Sequence, residues 1–82
     1  PSPSQIERLL RDASLRVTAP RKAVLAAVYE NPHADTETLL AATRSRLGSV
    51  SHQAVYDVLR ALHEVERSPG SPVKVTSVSG VP

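Results

Sequence analysis

No cysteine, methionine, tryptophan or phenylalanine occurs in the 82 residues, and Tyr29 and Tyr56 are the only aromatic side chains apart from histidine. Without cysteine there is no disulfide, no thiolate-bound zinc and no cysteine nucleophile, and bonding says nothing about the redox compartment. Without large aromatics the core has to be assembled from Leu, Val, Ala and Ile with one Tyr at most. That favours short, tightly packed helices over a substrate cavity. No apolar run approaches the roughly 18 residues of a membrane span, and no signal-peptide pattern opens the chain. A cytoplasmic protein is therefore expected. A start at Pro1 instead of Met reads as a processed or partial chain.

One small domain is the most that this length supports. Ten Lys and Arg stand against eight acids, for a net charge of +2. The excess suits an anionic partner without requiring one.

Four helices are expected. "SQIERLLRDA" predicts the first, at about residues 4 to 13, with Ser4 as cap, Glu7 completing a capping box, and Ile6, Leu9, Leu10 and Ala13 in one stripe. The second has Thr18 as cap and Pro20 in its first turn, where a missing N–H matters little. Val24, Leu25, Ala27, Val28 and Tyr29 leave it almost no polar face, so it should form the buried centre, ending at Asn31-Pro32. The third starts at Asp35, turns Leu39, Leu40, Thr43 and Leu47 inward and stops at Gly48. Ser51 caps the fourth, which runs to about Glu64. Only "GSV" separates the last two, the order and spacing of a helix-turn-helix.

Beyond Glu64 the composition shifts to "VERSPGSPVKVTSVSGVP". Val73, Val75 and Val78 could form a short strand with Val65 to Arg67 as partner, making a two-stranded wing; a disordered tail fits the composition equally well. The expected architecture is thus mainly α: a winged helix-turn-helix of four helices, with residues 1–64 as a helical DNA-binding domain and 65–82 as wing or tail.

The fourth helix divides cleanly into two faces. At 100° per residue Ala54, Val55, Val58, Leu59, Ala61 and Leu62 occupy one half of the wheel, and His52, Gln53, Tyr56, Asp57, Arg60 and His63 the other. Gln53, Tyr56 and Arg60 align at spacings of three and four, with His52 near the N-terminal end. Gln can address adenine, Arg can address guanine or phosphate, and a Tyr ring can pack on a thymine methyl while its hydroxyl reaches phosphate. Outer polar faces are usually only solvated; the helix-turn-helix arrangement raises the functional reading here, and Asp57 argues against it.

"LRVTAPRKAVLAAV", "NPHADTETLLAATR" and "VSHQAVYDVLRAL" together resemble the winged-helix DNA-binding half of the ferric uptake regulator family, most closely its actinobacterial branch associated with catalase-peroxidase genes. The resemblance covers about residues 5 to 63. It implies a homodimeric regulator, usually a repressor of iron or oxidative-stress genes, that binds AT-rich inverted repeats when loaded with a divalent metal such as Fe, Mn or Zn. It makes the helix at 51 to 64 the recognition helix, with Tyr56 as the base-contacting tyrosine. Arg16 matches a basic position at the minor groove or its phosphates, and Arg21 an arginine near backbone phosphate. Ser51, His52, Gln53 and Arg60 join Tyr56 as expected DNA contacts, and Lys22 joins Arg16 and Arg21 on phosphate.

His33 matches a position that joins the family's regulatory metal site, but none of its partners can be matched, and His52 and His63 are not spaced to join it. One ligand does not hold a divalent ion tightly, so no metal or other cofactor is expected in this chain. The family's link into the wing and its dimerisation and sensing domain are also unmatched, so this chain is expected to be monomeric or weakly dimeric. Asp57 replaces an arginine that many members carry, which puts the operator sequence in question. The competing reading is a winged helix whose outer face docks another protein, since Tyr and Arg also dominate such interfaces. Catalysis is not expected: Ser49, Ser51 and His52 sit at a cap and a helix start, with no oxyanion hole beside them.

Overall fold

A computed structural model describes residues 2–75 of the protein. Four α-helices follow one another: α1 (Pro3–Asp12), α2 (Ala19–Glu30), α3 (Thr36–Leu47) and α4 (His52–Glu66). Each begins on a side-chain cap that satisfies an amide the helix itself leaves unbonded. Thr18, Asp35 and Ser51 accept from the backbone N–H of Arg21, Thr38 and Ala54 at 3.3, 2.8 and 3.1 Å, at the three starts read from the sequence.

The first helix departs from expectation. It starts with Ser2 as cap and Pro3 at its first position, and Gln5 completes the capping box: Ser2 Oγ accepts from Gln5 N at 3.3 Å while Ser2 N donates to Gln5 Oε1 at 2.8 Å. Ser2-Pro3-Ser4-Gln5 carries the same signature as Ser4 to Glu7 but adds a proline whose φ is already helical, so the earlier start wins. Glu7 is left to pair with Arg11 at 3.2 Å and with Lys22 at 3.8 Å.

α2 is the central element and packs against each of the other three helices. Its Val24, Leu25 and Ala27 are fully buried, and Leu10, Leu39, Leu59 and Leu62 close around them from α1, α3 and α4. The turn between α3 and α4 is fixed from several sides. Gly48 takes φ +89°, which a side chain would resist. Arg44 Nε donates to the Val50 carbonyl at 3.3 Å. Arg46 pairs with Glu30 and ties the end of α3 to the end of α2; that hydrogen bond holds the Glu30 carboxyl below its usual range.

α4 extends two residues past the expected Glu64. Val65 and Glu66 are helical and Arg67 is the C-cap, so Val65 to Arg67 do not form a strand, and no strand is present among the described residues. Nothing in "LHEVE" breaks a helix; the first breaker is Pro69, which disfavours helix at the residue before it. After a turn closed by Ser71 N to the Ser68 carbonyl at 3.2 Å, Val73 and Val75 are fully buried while Lys74 is exposed. That alternation is the signature of an extended segment lying on the core. Val78, the third valine of the expected strand, lies outside the described residues.

Two expected results follow from this packing. Thr43 is fully buried, and its Oγ1 has no hydrogen-bond partner among the described residues. An unsatisfied buried hydroxyl costs about 1–3 kcal/mol, so Thr43→Val, which keeps the branched shape, should raise stability by about 1 kcal/mol. Thermal melting reads this as a gain of roughly 4–8 °C; an unchanged or lower midpoint would show that the hydroxyl is satisfied.

The second concerns Asp35. Its hydrogen bonds from Thr38 hold its carboxyl below the ordinary aspartate range. A depressed folded-state pKa stabilises above the unfolded value of about 3.9 and is lost as pH falls through the folded one. Asp35→Asn caps equally well without titrating. Its acid unfolding, followed by circular dichroism between about pH 5 and 2, should be shallower than that of the native chain. Glu30 contributes in the same direction, so the dependence shrinks and does not vanish. Superimposable profiles would remove Asp35 from the account.

Candidate nucleic-acid interface

α4 carries the division of faces that its sequence implied. Val55, Val58, Leu59 and Leu62 are buried, while His52, Gln53, Asp57 and Arg60 are exposed and Tyr56 and His63 are half-buried. The spacing of the four apolar residues fixes the rotation of the helix, because turning it by one residue would take Leu59 and Leu62 out of the core. The polar row is thus presented by the burial behind it.

Within the row the side chains are already organised. Ser51 Oγ is occupied as the cap. His52 Nε2 lies 3.2 Å from Glu37 Oε1, linking the start of α4 to the first turn of α3. The His52 and Tyr56 rings are 6.2 Å apart and tilted by 35°, so the tyrosine leans beside the imidazole. Gln53 Nε2 donates to Asp57 Oδ1 at 2.8 Å, one turn along. The Tyr56 hydroxyl and the Arg60 guanidinium have no hydrogen-bond partner among the described residues and are available to a ligand. No large hydrophobic side chain is exposed among the described residues, so this face offers donors, acceptors and two neighbouring rings instead of an apolar patch.

The expected phosphate contacts fall into two places. Arg21 Nη1 donates to the Arg16 carbonyl at 3.0 Å, so these two residues lie together at the entry to α2, with the Arg16 side chain exposed. One of the five guanidinium N–H groups of Arg21 is used there, and the rest remain. Lys22 instead faces α1, 3.8 Å from Glu7, and lines a shallow cleft with Ile6, Ala23, Ala26, Glu30 and Arg46 to which α4 contributes no residue.

His33 is exposed, in the loop after α2, with φ +69°, a left-handed conformation that histidine adopts more readily than most residues. Among the described residues no three His, Asp or Glu side chains converge as metal ligands. No helix among the described residues is long and apolar enough to cross a membrane.

Glu37 was not expected at this face, because its link to His52 crosses between helices and has no periodicity to betray it. The Gln53–Asp57 pair was not read either, although Gln and Asp four apart on a helix are neighbours and that spacing is the signal for it.

A mainly α domain with its last two helices in helix-turn-helix order is the class that fold and site define. Sequence comparison narrows it. The chain is 66% identical over 53 residues to the transcriptional regulator FurA of Mycobacterium tuberculosis, 65% of this chain and 36% of that protein. It is 57% identical over 54 residues to ferric uptake regulation protein 1 of Mycolicibacterium fortuitum and 53% identical over 60 residues to ferric uptake regulation protein 2 of the same organism. These matches cover 66% and 72% of this chain, and 34% and 41% of the two relatives. The matched stretch corresponds to the N-terminal portion of these ferric uptake regulator proteins. It matches little more than a third of their length. No protein-family model and no solved structure matches the chain.

Proposed function

We propose that the chain is the DNA-reading module of a metal-responsive transcriptional regulator, a repressor of iron or oxidative-stress genes acting in the cytoplasm, with α4 set in the major groove. The observation that carries this reading is the outer row on α4: an exposed amide, a half-buried phenol and an exposed guanidinium in line, with four buried residues behind them. The names of its relatives, a transcriptional regulator and ferric uptake regulation proteins, support it. Tyr56 and Gln53 read bases, Arg60 and His52 assist, and Arg16 and Arg21 anchor to phosphate. Metal response and dimerisation on an AT-rich inverted repeat are carried into this reading only from the family resemblance, since among the described residues no three His, Asp or Glu side chains converge.

Titration of the 82-residue chain with duplex DNA at low salt tests the reading. Amide shifts concentrated in residues 51 to 63 are expected. A chain that binds DNA through other residues, or leaves its α4 amides unmoved, would favour a surface for another protein. A single small module makes few phosphate contacts, so its affinity should fall with salt at about 0.9 log unit per contact per log unit of salt. Arg16→Ala should lower that slope by about one while leaving sequence preference intact. An unaltered slope would remove Arg16 from the backbone contacts.

A further inference from the structure

On the reading that α4 faces DNA, the geometry points to Asp57 as a positioning residue that sets how Gln53 meets a base. An acid on a helix approaching phosphates is at first sight a defect. Its like charge weakens the approach to any duplex, whatever the sequence.

The hydrogen bond it makes gives that acid a purpose. Asp57 Oδ1 accepts from Gln53 Nε2 at 2.8 Å, with both side chains exposed on the outer face. An ionised carboxylate is acceptor only, so the glutamine must turn its NH2 group toward it. A free glutamine can present its amide either way round; this one has a single favoured orientation. One amide hydrogen is used by Asp57, and the other hydrogen and Oε1 remain. A donor beside an acceptor is what the N7 and the N6 amino group of adenine require. Fixing the amide before DNA arrives removes rotamer freedom that binding would otherwise have to remove, which is how preorganisation sharpens selectivity. Asp57 thus lowers affinity for all duplexes and raises preference for one base pair through Gln53, without touching the base itself.

Four chains separate this from a plain surface pair: the native chain, Gln53→Ala, Asp57→Ala and the double substitution. Each is used to select from short duplexes randomised at every position, at low salt, with helicity checked by circular dichroism. Both single substitutions should relax preference at the same base pair, by about five- to tenfold in the ratio of the favoured to the disfavoured base. Asp57→Ala should at the same time bind every duplex more tightly. The double variant should be no less selective than Gln53→Ala.

Asp57→Ala leaving base preference intact would reduce the pair to helix support. A change at a different base pair, or further loss in the double variant, would mean that Asp57 acts on DNA directly. Gln53→Ala without effect would overturn the proposal, and Tyr56→Ala then decides how far the failure reaches. If Tyr56→Ala alters preference, the α4 reading stands and only the Asp57 role falls. If Tyr56→Ala is also without effect, or the native chain shows no sequence preference, both fall.

Discussion

Leu59→Ala is expected to destabilise the domain by about 2–5 kcal/mol, the range for truncating a fully buried leucine in a packed core. Leu59 is completely inaccessible and packs in the same cluster as Leu25 of α2 and Leu10 of α1. A chain of 82 residues holds roughly 4–12 kcal/mol of stability in all. The substitution therefore removes a large share of the total and should leave a measurable unfolded fraction at physiological temperature. Urea unfolding followed by circular dichroism reads the change as a lower midpoint at nearly constant slope. A loss under about 1 kcal/mol would mean that the neighbours collapse into the space, a freedom that a core of branched aliphatics around a central helix does not offer.

Tyr56→Ala is expected to reduce preference for an AT-rich half-site by about 1–3 kcal/mol, the range for a lost base contact. Arg60→Ala should have an effect of the same order if its guanidinium also reaches a base. Stability should barely change in either case, since both positions lie outside the packed cluster and such substitutions stay within about 0.5 kcal/mol. Tyr56→Phe separates the two things the side chain can do. It keeps the ring that packs on a thymine methyl and removes the hydroxyl, so preference should survive while overall affinity falls slightly. Fluorescence titration against AT-rich and GC-rich duplexes measures both quantities. Sequence preference untouched by Tyr56→Ala and Arg60→Ala alike would place the reading face elsewhere.

Leu59 and Tyr56 are three residues apart on one helix, and their expected effects are opposite in kind. This is the sense in which the outer face of α4, the candidate site, was legible in the sequence. The apolar positions of α4 fix its rotation, so residues left over at spacings of three and four must point outward together, and Gln53, Tyr56 and Arg60 could be named from that alone. Thr18, Asp35 and Ser51 were readable as caps because each precedes a periodic stretch and has the hydroxyl or carboxylate that an open amide needs. Ser2 was missed because two overlapping serines offer the same pattern, and only the preference of Pro3 for the first helical position decides between them.

The end of α4 was misread for the opposite reason. Val65 is at home in either a strand or a helix, and the propagation of an already formed helix outweighs a weak strand preference. The pairing of His52 with Glu37 could not be read, because it depends on how α3 and α4 meet in space. The pairing of Gln53 with Asp57 needed no tertiary knowledge, only their spacing of four, and was overlooked because Asp57 was weighed for its charge alone.

The placement of Val73 and Val75 determines where this module can be cut. On the wheel alone the helical unit finishes with α4, which would make residue 67 a natural place to end a shortened version or to join another protein. Both valines lie wholly beneath the surface, and each such side chain contributes about 1.5–3 kcal/mol by leaving water. A version stopped at residue 67 would have four intact helices and an open floor. The smallest autonomous folding unit thus runs at least through Val75, and a fusion partner or a linker has to be attached beyond it.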